Sequence, residues 1–130
     1  MPRNKGFTLV ELTMVVLIIG ILVTIAVPNY SKAVERAKGS VAFSNIKTIR
    51  KAMLTYFSEY RTFGATLAQL GDLVGTTFLP DDGNWTYELS TAASSFSITA
   101  ERIQGVHSTK QIVLTSDDAV SGQYYTDVLQ

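Results

Sequence analysis

The sequence contains no cysteine, so no disulfide can brace the chain even in an oxidising compartment. It has a single histidine, His107, in a loop rich in glycine and serine, and no base or nucleophile partner is evident beside it. We interpret His107 as a solvated loop residue. No phosphate-binding glycine motif is present either. Because no catalytic constellation is evident, we predict a chain that is not an enzyme.

The net charge is zero, but the charges are unevenly distributed along the chain. Residues 31–61 contain seven basic and two acidic side chains, whereas residues 62–130 contain two basic and eight acidic ones. The sequence therefore predicts a basic stem that carries an acidic head. Nucleic-acid binding requires clustered Lys and Arg on an exposed surface, so an acidic head argues against nucleic acid as a partner.

A long apolar run begins near the N-terminus and is interrupted by one carboxylate, Glu11. As a helix, residues 7–27 would extend over about 31 Å, close to the thickness of a bilayer core. An ionised Glu in such a span costs about 2–4 kcal/mol unless it lies near the interface or meets a positive partner. Cleavage after Gly6 would create that partner, the new amine of Phe7. A signal peptide or an ordinary anchor is the alternative, but typical signal-peptide runs are only about 7–15 residues long.

The residues that surround this carboxylate carry a resemblance to a known family. Gly6 to Leu12 reads GFTLVEL, Gly20 lies inside the run, and Pro28 closes it. This pattern resembles the prepilin signal of type IV pilins and of the pseudopilins of type II secretion. The resemblance implies that a prepilin peptidase cleaves after Gly6 and methylates the amine of Phe7. It also implies that Glu11 pairs with the terminal amine of an adjacent subunit during assembly.

With the resemblance, the chain divides into five segments: a prepilin leader (1–6), a transmembrane or filament-core helix (7–28), the amphipathic half of that helix (29–60), a connecting loop with a short helix (61–83) and a head (84–130). The resemblance also places the leader inside the cell and the body outside, an orientation that counting charges does not decide. Pro28 lacks the N–H that would bond Thr24, so we expect a helix kink there, with Gly20 weakening the same stretch. Alternatively, Pro28 only marks where the span meets water.

Beyond Ser31 the helical period continues without the membrane composition. Apolar residues at spacings of three and four form one stripe: Val34, Ala37, Val41, Asn45 or Ile46, Ile49, Met53, Tyr56 or Phe57, and Tyr60. We therefore predict a single helix from Thr8 to Glu59, whose second half packs on the head.

The remainder of the chain predicts a short helix from Ala65 to Leu73, ended near Gly75, and then a sheet. A turn at residues 81–84 precedes the expected strands, which are Trp85–Leu89, Ser94–Arg102 and Gln111–Thr115, with Tyr124–Leu129 as a fourth edge strand or a tail. The predicted fold class is α+β: a long N-terminal helix, membrane-spanning in its first half, packed on a small antiparallel sheet. The order of elements also resembles a pilin head.

Two acidic pairs, Asp81-Asp82 and Asp117-Asp118, are candidates for a calcium site, because that ion takes several oxygen ligands from loops. The resemblance to major pseudopilins implies a calcium site in a late loop, which would use Asp117 and Asp118. The spacing matches no complete ligand set, so ordinary turn acids are the alternative, and no other cofactor is expected. Asn84-Trp85-Thr86 fits a glycosylation sequon, a pattern too short to carry weight.

These features together predict a structural subunit of a filament. The resemblance implies that it would enter the inner membrane by a single span, be extracted by an assembly platform and its ATPase, and polymerise with copies of itself into an extracellular or periplasmic fibre, such as a pilus for adhesion and twitching motility. One alternative is the major pseudopilin of a type II secretion system. Another is a monomeric, membrane-anchored binding domain that keeps its first six residues.

Overall fold

The computed structural model describes residues 6–74 and 83–130. Most of the predicted leader, the expected helix end at Gly75 and the acidic part of the turn at residues 81–84 lie outside the described residues. Contacts divide the chain into two units, one that ends at Val34 and a second, Glu35–Gln130.

The first helix, α1, runs from Leu9 to Tyr60, so the prediction of one helix from Thr8 to Glu59 is confirmed within one residue at each end. It continues through Pro28, which cannot donate a hydrogen bond to the turn before it. In that region the Thr24 hydroxyl donates to the carbonyl of Gly20 at 2.8 Å. The predicted kink at Gly20 and Pro28 stays a prediction.

In the second unit, α1 buries one face against the head. Ile46, Ile49 and Met53 are completely buried, as predicted. Farther toward the N-terminus the predicted stripe is wrong, because Ala37 and Val41 are exposed while the buried positions are Gly39 and Ala42. The stripe had been traced through the larger apolar residues, whereas the head packs so closely here that only the smallest side chains fit.

The second helix, α2, spans Leu67–Val74 and starts two residues later than predicted. Its start is capped reciprocally: the amide of Gln69 donates to the Thr66 hydroxyl, and the Gln69 side chain accepts from the amides of Thr66 and Ala65. Leu70 from this helix is completely buried in the core. The helix therefore covers part of the core beside α1.

In the described part of the chain, four strands form an antiparallel sheet in the order β1-β2-β3-β4: Trp85–Thr91, Phe96–Arg102, Gln111–Thr115 and Val120–Ser121. Strand β2 alternates strictly, with Phe96, Ile98, Ala100 and Arg102 buried. Ile112 and Leu114 of β3 join them against α1. The α+β class and the first three strands are confirmed.

Of the two alternatives for Tyr124–Leu129, a fourth edge strand or a tail, the strand is wrong. The fourth strand is the short β4, and Tyr125–Leu129 is a π-helical turn. Gly122 explains the change of direction: its φ is +113°, and a Cβ there would collide with the backbone of Gln111. The chain leaves the sheet edge at this glycine and returns to α1.

Candidate functional site

The start of α1 is closed by a reciprocal cap between Thr8 and Glu11. The Glu11 amide donates to the Thr8 hydroxyl at 3.2 Å, while Glu11 Oε2 accepts from the Thr8 amide at 2.9 Å and from its hydroxyl at 2.8 Å. This is the capping-box arrangement, and it satisfies two backbone donors that a helix start leaves open. The cap holds the Glu11 carboxylate at the first turn, where the helix dipole favours a negative charge.

The capped carboxylate keeps one oxygen free for another ligand. Within the described ranges, 6–74 and 83–130, Glu11 Oε1 accepts no hydrogen bond from the chain. A carboxylate can accept at both oxygens, so an amine can bind Oε1 while Oε2 keeps the cap intact. The pattern Thr-x-x-Glu was readable in the sequence, but the sequence analysis did not use it.

Gly6 and Phe7 precede the helix in an exposed segment. Apart from Gly6 itself and its two chain neighbours, no described residue has an atom within 4 Å of the position that a Cβ on Gly6 would take, and Phe7 is 85% exposed. The described part of the chain therefore leaves both residues uncovered.

From Leu9 to Val27 the surface of α1 is apolar and uncovered, because every side chain in this stretch is exposed in the single chain. Among the residues that the structure describes, α1 is the one helix long and apolar enough to cross a membrane. Nothing lies within 4 Å of a Cβ placed on Gly20. The uncovered surface includes Gly20 and extends to Pro28, the two predicted kink positions.

A second polar cluster ties α1 to the sheet. Arg102 is only 2% exposed, and its Nη2 lies 3.4 Å from Glu35 Oε1. Its Nη1 donates to the carbonyl of Asn84 at 2.9 Å and to the Asn84 side chain at 3.0 Å. The Tyr124 hydroxyl donates to the Glu35 carbonyl at 2.7 Å and to Oε2 at 3.0 Å. Strand β2 and the C-terminal segment therefore converge on the Glu35 carboxylate, and Asn84, just before β1, holds the Arg102 guanidinium.

The electrostatics of this cluster favour an ionised Glu35. Burial raises the pKa of Glu35, but the hydrogen bonds from Arg102 and Tyr124 and the charges of Arg102 and Lys38 outweigh burial and hold the pKa below its ordinary value. Burial first, and then the neighbouring Glu35 carboxylate, raises the pKa of Tyr124. Glu35 therefore accepts as a carboxylate, and Tyr124 donates as a neutral phenol.

Comparison with known proteins identifies the family of this chain. The family model for the prokaryotic N-terminal methylation motif matches residues 1–27. The type IV narrow pilus major component PilA5 of Thermus thermophilus is 31% identical over 102 residues, which cover 74% of this chain and 87% of that protein. The chain belongs to the type IV pilin and pseudopilin family. The motif covers Gly6, Phe7, Glu11 and Gly20, which are four of the predicted site residues.

Two further relatives represent the two branches of this family. The type IV major pilin protein PilA of Myxococcus xanthus is 41% identical over 98 residues, which cover 75% of this chain. The type II secretion system core protein G of Pseudomonas aeruginosa is 36% identical over 84 residues, which cover 64% of this chain and 59% of that protein. This pilin-family chain spans 42% of the length of the Myxococcus xanthus relative.

The two calcium candidates of this pilin-like head already have protein partners. Asp117 accepts a hydrogen bond from the Thr115 hydroxyl, which is the main cause that lowers the Asp117 pKa. Asp118 has φ +69°, and its Oδ1 lies 3.5 Å from Arg50 Nε. Among residues 6–74 and 83–130, no three His, Asp or Glu side chains are grouped so as to hold a metal. Calcium binding stays a prediction.

Two other loop residues take part in the head structure. His107 is half-buried, with its ring edge-on to Tyr124 at 5.5 Å between centroids, so the interpretation of a solvated residue is wrong. Asn84, the sequon residue, uses its backbone carbonyl and its side-chain oxygen to hold Arg102. The contacts of His107 and Asn84 both arise from tertiary packing between distant loops, so the sequence near each residue does not predict them.

The sequence analysis missed the cluster of Glu35, Arg102 and Tyr124. A signal for Arg102 existed, because it continues the inward alternation of Phe96, Ile98 and Ala100, and a charge at such a position requires a buried partner. The identity of that partner was not readable, because Glu35 lies 67 positions earlier in the chain.

Proposed function

We propose that this chain is a non-enzymatic structural subunit that is processed between Gly6 and Phe7 and polymerises into a type IV pilus-like filament. The observation that carries the proposal is the uncovered apolar helix surface from Leu9 to Val27, with the capped carboxylate of Glu11 at its start. A surface of this size and composition requires a non-aqueous environment or other apolar helices.

Both environments fit the same segment at different stages. Before assembly, the apolar stretch of α1 is long enough to span the inner membrane, with the body outside the cytoplasm. After assembly, the same surface packs against equivalent helices of neighbouring subunits, so protein contacts replace lipid contacts. The open space at Gly20 allows a neighbouring helix to approach its backbone closely.

Glu11 would set the register of the helices in this filament. Its Oε1 is the acceptor left over from the cap, and the amine of Phe7 of an adjacent subunit would be the donor. A wrong offset would leave a carboxylate unpaired among apolar side chains, which penalises misassembly by several kcal/mol. The cap with Thr8 holds the carboxylate in place before the neighbour arrives.

The proposed partners follow from this life cycle. They are a prepilin peptidase that cleaves after Gly6 and methylates Phe7, an inner-membrane assembly platform with its ATPase, the membrane, and further copies of the same chain. The finished fibre would lie outside the cell, where it would serve adhesion and twitching motility.

A mass measurement on the native protein tests the proposal directly. The chain is purified from the membrane and from sheared surface fibres, and its intact mass and N-terminal peptide are determined. A chain that starts at methylated Phe7 and is recovered in fibres is the expected result. A chain that starts at Met1 or Pro2 would contradict processing and favour the anchored binding domain, and a start near Tyr30 would identify a discarded signal peptide.

The similarity to a type II secretion system core protein G supports a second candidate, the major pseudopilin of such a system. Its processing would be identical, but its fibres would be short and periplasmic. Deletion of the gene separates the two functions: loss of surface fibres with normal protein secretion supports the pilus, and loss of secretion supports the pseudopilus.

A further inference from the structure

Three cations occupy the outer surface of α1 in the second unit. Arg36, Lys47 and Lys51 are exposed, and at about 100° per residue they fall within an arc of about 60°. The buried residues of this helix lie on the other side of the axis. Among residues 6–74 and 83–130, no ion pair involves Arg36, Lys47 or Lys51. We call these three residues the basic face.

Two carboxylates occupy the outer surface of the sheet. Glu88 pairs with Thr99 in the register of β1 and β2, and Glu101 pairs with Thr86. Paired residues of an antiparallel ladder point to the same side, so both carboxylates share the surface opposite to Ile98 and Ala100. The Gln111 side chain donates to Glu101 at 2.7 Å, which holds this carboxylate without neutralising its charge. We call Glu88 and Glu101 the acidic face.

Two cations of the basic face, Lys47 and Lys51, match the two carboxylates of the acidic face in spacing and are opposite to them in charge. Lys47 and Lys51 are four residues apart on a helix, which places their Cβ atoms about 6 Å apart. Glu88 and Glu101 are diagonal neighbours on adjacent strands, about 7 Å apart. Two cations can therefore meet two carboxylates at once. Contact of either face with its own copy would instead bring like charges together, so these faces disfavour a symmetric dimer.

The positions of the two faces also indicate the kind of assembly. The sheet packs on α1 through its inner surface, so the basic and acidic faces lie on opposite sides of the head. An interface between two different surfaces of one molecule is heterologous, and it extends into an open filament when the rotation does not close a ring. We propose that the basic face of one head docks on the acidic face of the head of a second copy. This inference rests on the proposed filament function and adds the head contact to it.

Charge exchange within one chain tests the contact. The variant Lys47→Glu with Lys51→Glu, and separately Glu88→Lys with Glu101→Lys, should each lower the filament recovered by shearing at least tenfold. The chain with all four substitutions places two carboxylates on the helix and two lysines on the sheet, with Arg36 unchanged, so its filament yield should recover to within about twofold of wild type. Four substitutions that assemble no better than the double variants, or double variants that assemble normally, would overturn the proposal.

A matched control separates the contact from net charge and from folding. Glu59→Lys with Asp72→Lys changes the net charge as much as the sheet variant does, at two other exposed carboxylates, and should leave filament yield unchanged. A loss in this control as large as that of the sheet variant would refute a specific contact. The unfolding midpoint of each full-length variant in nonionic detergent, read from Trp85 fluorescence, shows whether its head is folded.

The salt dependence of wild-type filaments is an independent test of the charged contact that requires no substitution. Raising the NaCl concentration from 0.1 to 1 M shortens the screening length from about 10 Å to about 3 Å. Release of subunits from isolated fibres should rise severalfold, whereas release that does not respond to salt would contradict the charged contact. If the wild-type protein forms no fibre, the proposed filament function itself is refuted. Fibres whose stability changes neither with salt nor with the charge substitutions would refute only the head contact.

Discussion

Arg102 Nη2 and Glu35 Oε1 lie 3.4 Å apart although 67 positions separate the two residues in the chain. Arg102, the last residue of β2, is the only charged residue that the described part of the head buries completely. Glu35 begins the second unit of the chain. The pair therefore fixes where the sheet sits along the helix, and Tyr124 adds the C-terminal segment to the same point.

Removal of the Glu35 carboxylate should destabilise the head. Glu35→Ala removes the carboxylate that accepts from the buried Arg102 guanidinium, so we expect a loss of about 3 kcal/mol in the free energy of unfolding. Urea unfolding of the full-length protein in nonionic detergent, followed by fluorescence of the single tryptophan, Trp85, measures the loss. Lys38→Ala is the control: Lys38 contacts the same Glu35 oxygen but is more exposed, so its loss should stay below about 1 kcal/mol.

The head should also lose stability in acid. The pKa of Glu35 is lower in the folded head than its ordinary value of 4.5, so the ionised form stabilises the fold. This contribution is complete above the unfolded pKa and disappears as the pH falls through the folded pKa. Unfolding free energies between pH 3 and 7 should therefore fall more steeply below about pH 4.5 for wild type than for Glu35→Gln. Parallel curves for the two proteins would contradict the ion pair.

Gly39 should not tolerate even one added methyl group. A Cβ at this position would lie 2.7 Å from Tyr124 Cε1 and 3.0 Å from Leu129 Cδ2. We expect Gly39→Ala to cost about 1–3 kcal/mol in unfolding free energy, despite the higher helix propensity of alanine. The matched control is Gly20→Ala in the same helix, where nothing lies within 4 Å. It should leave the unfolding of the head unchanged.

Glu11→Ala should separate membrane insertion and processing from assembly. The apolar helix remains, so the protein should insert and still be cleaved after Gly6, but filament recovery should fall at least tenfold, equivalent to about 1.4 kcal/mol. Immunoblots of sheared fibres and the mass of the N-terminal peptide measure the two steps. Normal filaments from Glu11→Ala would refute the pairing with the Phe7 amine.

A variant of Thr8 tests the cap without removing the charge. Thr8→Val removes the hydroxyl that donates to Glu11 Oε2 and accepts from the Glu11 amide. Filament recovery should fall less than for Glu11→Ala, because the carboxylate remains, and Thr8→Ser should behave as wild type. A loss in Thr8→Ser equal to that in Thr8→Val would exclude the hydroxyl as the cause.

Local patterns were sufficient for the helices and for most of the sheet. Alternation in β1, β2 and β3 and the helical period of α1 act between residues close in the chain, so each element was readable from its own segment. The segment Tyr124–Leu129 was not, because its apolar residues fit a strand as well as a turn of helix. Its conformation depends on the backbone direction after Gly122 and on the contacts that Tyr124 makes with α1.

The sequence by itself determined the apolar helix, the carboxylate of Glu11 within it and the family to which the chain belongs. These properties depend on composition and on spacings of a few residues, which the chain carries into any environment. Only the tertiary structure decided that Arg102 meets Glu35, that Gly39 is a contact point and that the basic and acidic faces lie on opposite sides of the head. Such relationships join residues tens of positions apart, and they exist only after the sheet has packed on the helix in one register.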